Sequence, residues 1–157
     1  MTRAYGRALS HERVLGSTPF NKGTRVTMIA AIGVQEVKTA LYGKWHLDGD
    51  IFIRFTEKCL LPLLHPGQMV IMDNLPTHKV APIKNLIEAA GATLVYLPPY
   101  SPDLTPIELF WSKVKNIIRS REPRTMAALG RAIKNAFRTI TASDLEGWFE
   151  HCGYSIQ

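Results

Sequence analysis

Apolar positions along this chain switch between strand-like runs and helical spacing. Residues Arg25 to Gly33, RVTMIAAIG, are short, apolar and β-branched, and EVKTALY can return beside them after a turn near Gly33 to Gln35. An antiparallel pair is predicted. In DIFIRFTEKCLLPLL, Phe52, Phe55, Cys59, Leu60 and Leu63 recur at three- and four-residue steps, so a helix is expected over Ile51 to Leu61, although IFIRF alone would pass for a strand. MVIMDN (Met69 to Asn74) is an apolar run ending in a polar pair, as in a strand buried on both faces. Val80, Ile83, Ile87 and Ala90 then mark a helical stripe, with Pro82 in its first turn and Gly91 at its end. TLVYL (Thr93 to Leu97) follows at once, and connections this short make a βαβ unit with parallel strands. Beyond a proline-rich loop, Ile107, Trp111, Val114 and Ile118 form another helical face, and Thr125 to Ile140 and Ser143 to Cys152 read as further helices. No repeat or linker interrupts the pattern, which predicts one α/β domain over residues 1–157.

Composition supports a single soluble domain: 157 residues, 46% hydrophobic and 20% charged, are enough for a real core. No apolar run approaches the roughly 20 residues of a membrane helix, and MTRAYGRALSHER lacks the apolar stretch of a secretory signal, so a cytoplasmic protein without membrane partners is expected. Cys59 and Cys152 stand alone, without metal-ligand or disulfide spacing. The net charge of +6 is concentrated: Arg3, Arg7, Arg13, Lys22 and Arg25 face only Glu12, and Lys113 to Arg138 hold eight Lys or Arg against Glu122. Such blocks suit a phosphate backbone. A solvated helix face would account for either block equally well.

Two acids stand out by position. Functional groups of a parallel α/β sheet gather beyond the carboxyl ends of its strands. Asp73 ends the first parallel strand, and Glu108 lies beyond the end of the second. Between them, Pro98, Pro99, Pro102 and Pro106 hold the loop near extended or turn geometry, which lowers the entropy cost of fixing a distant carboxylate. Each acid also has an ordinary reading. Asp73-Asn74 is a common turn pair, and Thr105-Pro106-Ile107-Glu108 spells a capping box with Glu108 at its third helical position. The readings differ in what they require, since a capping box accepts Gln where a hard cation prefers an ionised oxygen. His78 and Asn74 are expected to support Asp73 rather than to ligate a metal, and Tyr100, in the loop, is better placed for substrate than Phe110 or Trp111.

Asp73-Asn74 with His78, followed by LPPYSPDLTPIELFWSKVK (Leu97 to Lys115), closely resembles the catalytic domain of DDE transposases, in particular the bacterial insertion-sequence branch of the mariner superfamily. Thirty-four residues (74–107) separate the two acids, a spacing typical of that group's second and third acids. TRAYGRA and GSTPFNKGTRVTMIAAI also resemble it, so the likeness covers nearly the whole chain. The resemblance implies an RNase H-like mixed sheet flanked by helices, with Asp73 and Glu108 as catalytic ligands to two Mg²⁺ or Mn²⁺ ions. It implies cleavage of transposon-end DNA and strand transfer into a target, with TA dinucleotides as the sites. Lys79, Tyr100, Lys113, Lys115, Arg119 and Arg121 are the candidate DNA contacts.

The departure from the family concerns its first Asp, carried on a central strand upstream of the stretch like TRAYGRA. None of Glu12, Glu36, Asp48, Asp50 or Glu57 follows an apolar strand in the right order to replace it. The chain is therefore expected to be an N-terminally truncated catalytic domain, without that strand and without the helix-turn-helix DNA-binding region, and inactive alone. A complementing fragment, full-length transposase or a second copy is the expected partner, because unpaired strand edges invite another chain. The alternative is a DNA-associating fragment without activity that pairs with intact transposase and inhibits it. A general metal-dependent nuclease would leave the proline loop unexplained.

Overall fold

The computed structural model describes residues 25–99 and 101–155. β1 (Thr27–Ile32) and β2 (Val37–Gly43) pair antiparallel, with a bulge at Ala31/Ile32 and a turn in which the Gly33 N–H donates to the Glu36 carbonyl at 2.8 Å. Alternation along β1 sends Ile29 and Ala31 into one core and Met28, Ala30 and Ile32 into another, so both faces of the hairpin are used.

α1 (Gly49–Phe55) starts at Asp48, whose carboxylate accepts the Ile51 N–H at 2.9 Å. The helix expected over Ile51 to Leu61 continues only by changing form: Thr56–Leu60 is a π turn, followed by a 3₁₀ turn at Leu61–Leu63. The buried Thr56 hydroxyl donates to the Phe52 carbonyl at 2.9 Å, and the wider turn keeps Phe55, Thr56 and Leu60 all on the core side.

β3 (Met69–Met72), α2 (Ala81–Ala89) and β4 (Thr93–Tyr96) form the βαβ unit, its strands parallel with Met69 opposite Thr93 and Met72 opposite Tyr96. Ile83 and Ile87 of α2 are wholly buried over the sheet. Gly91 ends the helix at φ +79°, and its carbonyl accepts the Gly67 N–H at 2.8 Å. The expectation that β3 is buried on both faces is corrected: Met69 is 63% exposed and the rest of the strand is half-buried. The described residues form two separate two-stranded sheets, β1-β2 and β3-β4, so β3 is an edge strand. Both pairs nevertheless pack on the same core, Ile29 and Ala31 from one and Val70, Met72 and Leu94 from the other.

α3 (Pro106–Ser120), α4 (Met126–Arg138) and α5 (Ala142–His151) complete the fold. The buried line of α3 runs Pro106, Phe110, Val114, Ile118: Val114 and Ile118 stand as predicted, while Pro106 and Phe110 take the places of Ile107 and Trp111, which are half-buried. Phe110 is the hub, its ring centroid 4.8 Å from that of Trp111, 5.9 Å from Phe137 and 6.4 Å from Trp148. Cys59 is half-buried and Cys152 buried, both as free thiols. No helix among the described residues is long and apolar enough to cross a membrane.

α5 is fastened to α3 by charge. Thr141 and Asp144 form a capping box, and Lys113 Nζ lies 2.5 Å from Asp144 Oδ2. The Lys113 hydrogen bond, and after it the Thr141 backbone N–H, hold the Asp144 carboxyl below its ordinary value of 3.8. Between the lowered folded value and the unfolded one, the unfolded chain binds the extra proton, so stability rises with pH there. The contribution is complete above about pH 4 and is lost as pH falls through the folded value. Asp144→Asn should therefore lower the urea midpoint at about pH 7, and its deficit against wild type should shrink as pH falls below about 4. A deficit that stays constant with pH would remove the ion pair from this account.

Candidate functional site

The two parallel strands end at one edge, and their ends are tied together. The Leu97 N–H donates to the Met72 carbonyl at 2.8 Å, and the Asn74 side-chain amide donates to the Leu97 carbonyl. Asn74 thus joins the β3 end to the start of the proline loop. Asp73 Oδ1 accepts the Leu75 N–H at 3.0 Å, an Asx turn that fixes the carboxylate as it leaves the strand. His78, on the short 3₁₀ turn Pro76–His78, brings Nδ1 to 2.6 Å from Asp73 Oδ1, at an angle that leaves this buried nitrogen without an aligned acceptor. The close approach is an electrostatic contact; it lacks the direction of a good hydrogen bond.

The imidazole is held from behind. Its centroid lies 4.4 Å from the Phe52 ring of α1, and its backbone carbonyl accepts the Tyr96 hydroxyl at 2.8 Å. Burial pushes the Tyr96 phenol up, so it remains a neutral donor in that bond. Lys79 is exposed, with Nζ 5.7 Å from the Tyr96 ring centroid.

Glu108 has a different standing. It lies in the first turn of α3, where the N-terminal end of a helix dipole favours a negative charge. The capping box that the sequence offered as its ordinary role does not form. Thr105 occupies the N-cap, but its hydroxyl donates to the Ser101 carbonyl at 3.0 Å and makes no cap bond. Among the described residues, the exposed Glu108 carboxylate has no hydrogen-bond or ion-pair partner.

Helical spacing sorts the basic candidates of α3. Ser112, Lys115 and Arg119 follow Glu108 at four, seven and eleven residues and share its face. Lys113 does not; it is committed to Asp144. Arg119 also donates to Asn116 Oδ1 at 3.3 Å, and Arg121 caps the C-terminal end of the helix. Tyr100 lies outside the described residues, as do the basic residues before Arg25.

Asp73 and Glu108 offer hard oxygen donors of the kind that Mg²⁺ and Mn²⁺ prefer, and Asp73 keeps Oδ2 free. Among the described residues no group of three or more His, Cys, Asp or Glu side chains is placed to hold a metal ion. Each carboxylate therefore has the chemistry a divalent cation prefers, but only as one member of a larger donor set.

Comparison with known proteins gives two findings. A family model described as DDE superfamily endonuclease matches residues 1–129. Among solved structures, the fold is similar to that of the Mos1 transposase in its paired-end complex with the left transposon end, at a TM-score of 0.77 and 11% sequence identity. The match covers 97% of this chain and 47% of that one, so the chain spans about half the length of that transposase. At such identity the likeness is one of fold, and the RNase H-like expectation stands. No curated protein matches the chain.

Proposed function

Because the chain belongs to the DDE superfamily endonucleases, we propose that it is the part of a transposase catalytic domain that carries the second and third acids, Asp73 and Glu108, for metal-dependent DNA cleavage and strand transfer. The observation that carries this reading is the Glu108 carboxylate: a first-turn acid that, among the described residues, caps nothing and pairs with nothing is available to a ligand. Two Mg²⁺ or Mn²⁺ ions, when bound, would activate the attacking hydroxyl and stabilise the leaving oxygen of an in-line displacement. The protein's own contribution is positional. The Leu75 N–H and His78 hold Asp73, Asn74 fixes the loop behind it, and α3 carries Glu108 on the same face as Lys115 and Arg119, which would meet backbone phosphates. A third acid comes from outside the described residues. Transposon ends and TA target sites are the proposed DNA partners.

Metal-directed cleavage tests the pairing without relying on turnover. With Fe²⁺, ascorbate and peroxide in the presence of duplex DNA, the wild-type chain should be cut near both residue 73 and residue 108, and Asp73→Asn should lose both cuts together. Cuts confined to one acid would mean that the two do not share ions, and the reading would fall.

A second reading has one observation in its favour. Among the described residues, β1 and β3 each keep an unpaired edge, which suits a chain that pairs with intact transposase without chemistry of its own. Co-expression separates the two, since complementation raises excision and inhibition lowers it.

A further inference from the structure

The C-terminal end of α3 and the outer face of α4 enclose an open groove of about 510 Å³. Arg121, Arg131, Lys134 and Arg138 line it, with Asn135 among them and no carboxylate. The three cations of α4 follow one another at steps of three and four residues, so they share one face, where like charges destabilise the helix. Arg138, in the last turn, is favoured by the helix dipole, but among the described residues none of the four cations takes part in an ion pair. Nearby acids are committed elsewhere, Asp144 to Lys113 and Glu122 to Arg124. No ion pair among the described residues therefore accounts for the row.

Its dimensions indicate the ligand. From Arg131 to Arg138 the helix rises about 10 Å, against roughly 3.4 Å of duplex axis per phosphate of one strand. A single phosphate cannot engage the whole row, whereas about three consecutive backbone phosphates can. The groove is also open, unlike an enclosed small-molecule pocket.

We infer that this groove grips the phosphodiester backbone of duplex DNA at a second place, away from the acids. Arg121, at the C-cap of α3, lies thirteen residues beyond Glu108, about 20 Å along the axis, or about six base pairs of duplex. Contacts of this kind set register and orientation and carry no base sequence. The choice of DNA as the polyanion rests on the function proposed above; the existence of an anion groove does not.

Fluorescence anisotropy with a duplex of about 20 base pairs, titrated between about 50 and 200 mM NaCl without divalent ions, tests the groove. The groove variant is Arg131→Gln, Lys134→Gln and Arg138→Gln, whose side chains are exposed and whose replacements keep helix propensity. The control, Lys44→Gln, Arg54→Gln and Lys58→Gln, removes the same charge from exposed positions outside the groove. The groove variant should lose at least tenfold in affinity at about 100 mM salt, and its salt slope should become shallower by about three; the control should lose less than threefold. Equal losses in both variants, or none in the groove variant, would overturn the inference. If iron-directed cuts fail while only the groove variant loses DNA, the groove stands and the proposed chemistry falls. The reverse pattern removes the groove alone.

Discussion

Glu108→Gln will weaken Mn²⁺ binding at least tenfold and, in any assembly that cleaves DNA, lower metal-dependent cleavage by about 1000-fold or more, equivalent to about 4 kcal/mol of barrier. The fold should not notice. Glu108 is exposed, its side chain makes no bond among the described residues, and Thr105 does not cap through its hydroxyl, so the change falls within the roughly 0.5 kcal/mol typical of surface positions. Gln keeps the shape and one carbonyl oxygen and loses the charge, which is what a hard cation selects. Calorimetric titration with Mn²⁺, plasmid cleavage and thermal unfolding measured on the same preparation separate the two effects. Unchanged metal affinity in a folded variant would mean that Glu108 is an ordinary surface residue, and the proposed chemistry would lose its anchor.

Phe110→Ala will cost about 3–5 kcal/mol, a large share of the roughly 5–15 kcal/mol that holds a domain of this size together. Phe110 is wholly buried, and its ring meets Trp111, Phe137 and Trp148, one from its own helix and one each from α4 and α5. Removing it opens a cavity where three helices converge, a place with little freedom to collapse because each neighbour is itself a large ring. Phe110→Leu keeps most of the volume and should cost less than about 1.5 kcal/mol. Urea unfolding followed by tryptophan fluorescence reads both, and the two variants should differ clearly in midpoint. Similar small losses in both would show that the aromatic hub does not hold the helices together.

Most of the fold could be read from spacing. The hairpin, the βαβ unit and the three C-terminal helices all stand where apolar periodicity placed them, because each has a face that must be buried. The misses have local causes. Periodicity gives the width of a stripe better than its centre, and burial of Pro106 at the head of α3 rotated the buried line from Ile107-Trp111 onto Phe110. Three- and four-residue steps cannot reveal a π turn, which here follows from keeping Phe55, Thr56 and Leu60 on one side. A continuous apolar run cannot say whether its strand has neighbours on both sides, and β3 has one among the described residues.

At the site, types and order of residues were legible and engagement was not. Thr105 and Glu108 have the spacing of a capping box, yet a hydroxyl can turn to any nearby carbonyl, and the loop offers Ser101. Lys113 belonged to a basic block read as a DNA surface, and only the packing of α5 on α3 shows that it answers Asp144. The cations of α4 lie within that block. Their steps of three and four between Arg131, Lys134 and Arg138 were the available signal, and its meaning needed the groove beside α3.

The division of the sheet reaches beyond topology. Among the described residues, no hydrogen bond or ion pair joins residues 25–64 to residues 65–155; the side-chain bonds and strand ladders stay within one part or the other. What unites them is apolar contact, around Ile29, Phe52 and Ile83 on one side and beneath Phe110 on the other. Such a seam has the thermal character of the hydrophobic effect: its cohesion is entropic near room temperature and fades on chilling. The two parts of this molecule are therefore held more loosely in the cold than at room temperature, and charge screening has little leverage on their union.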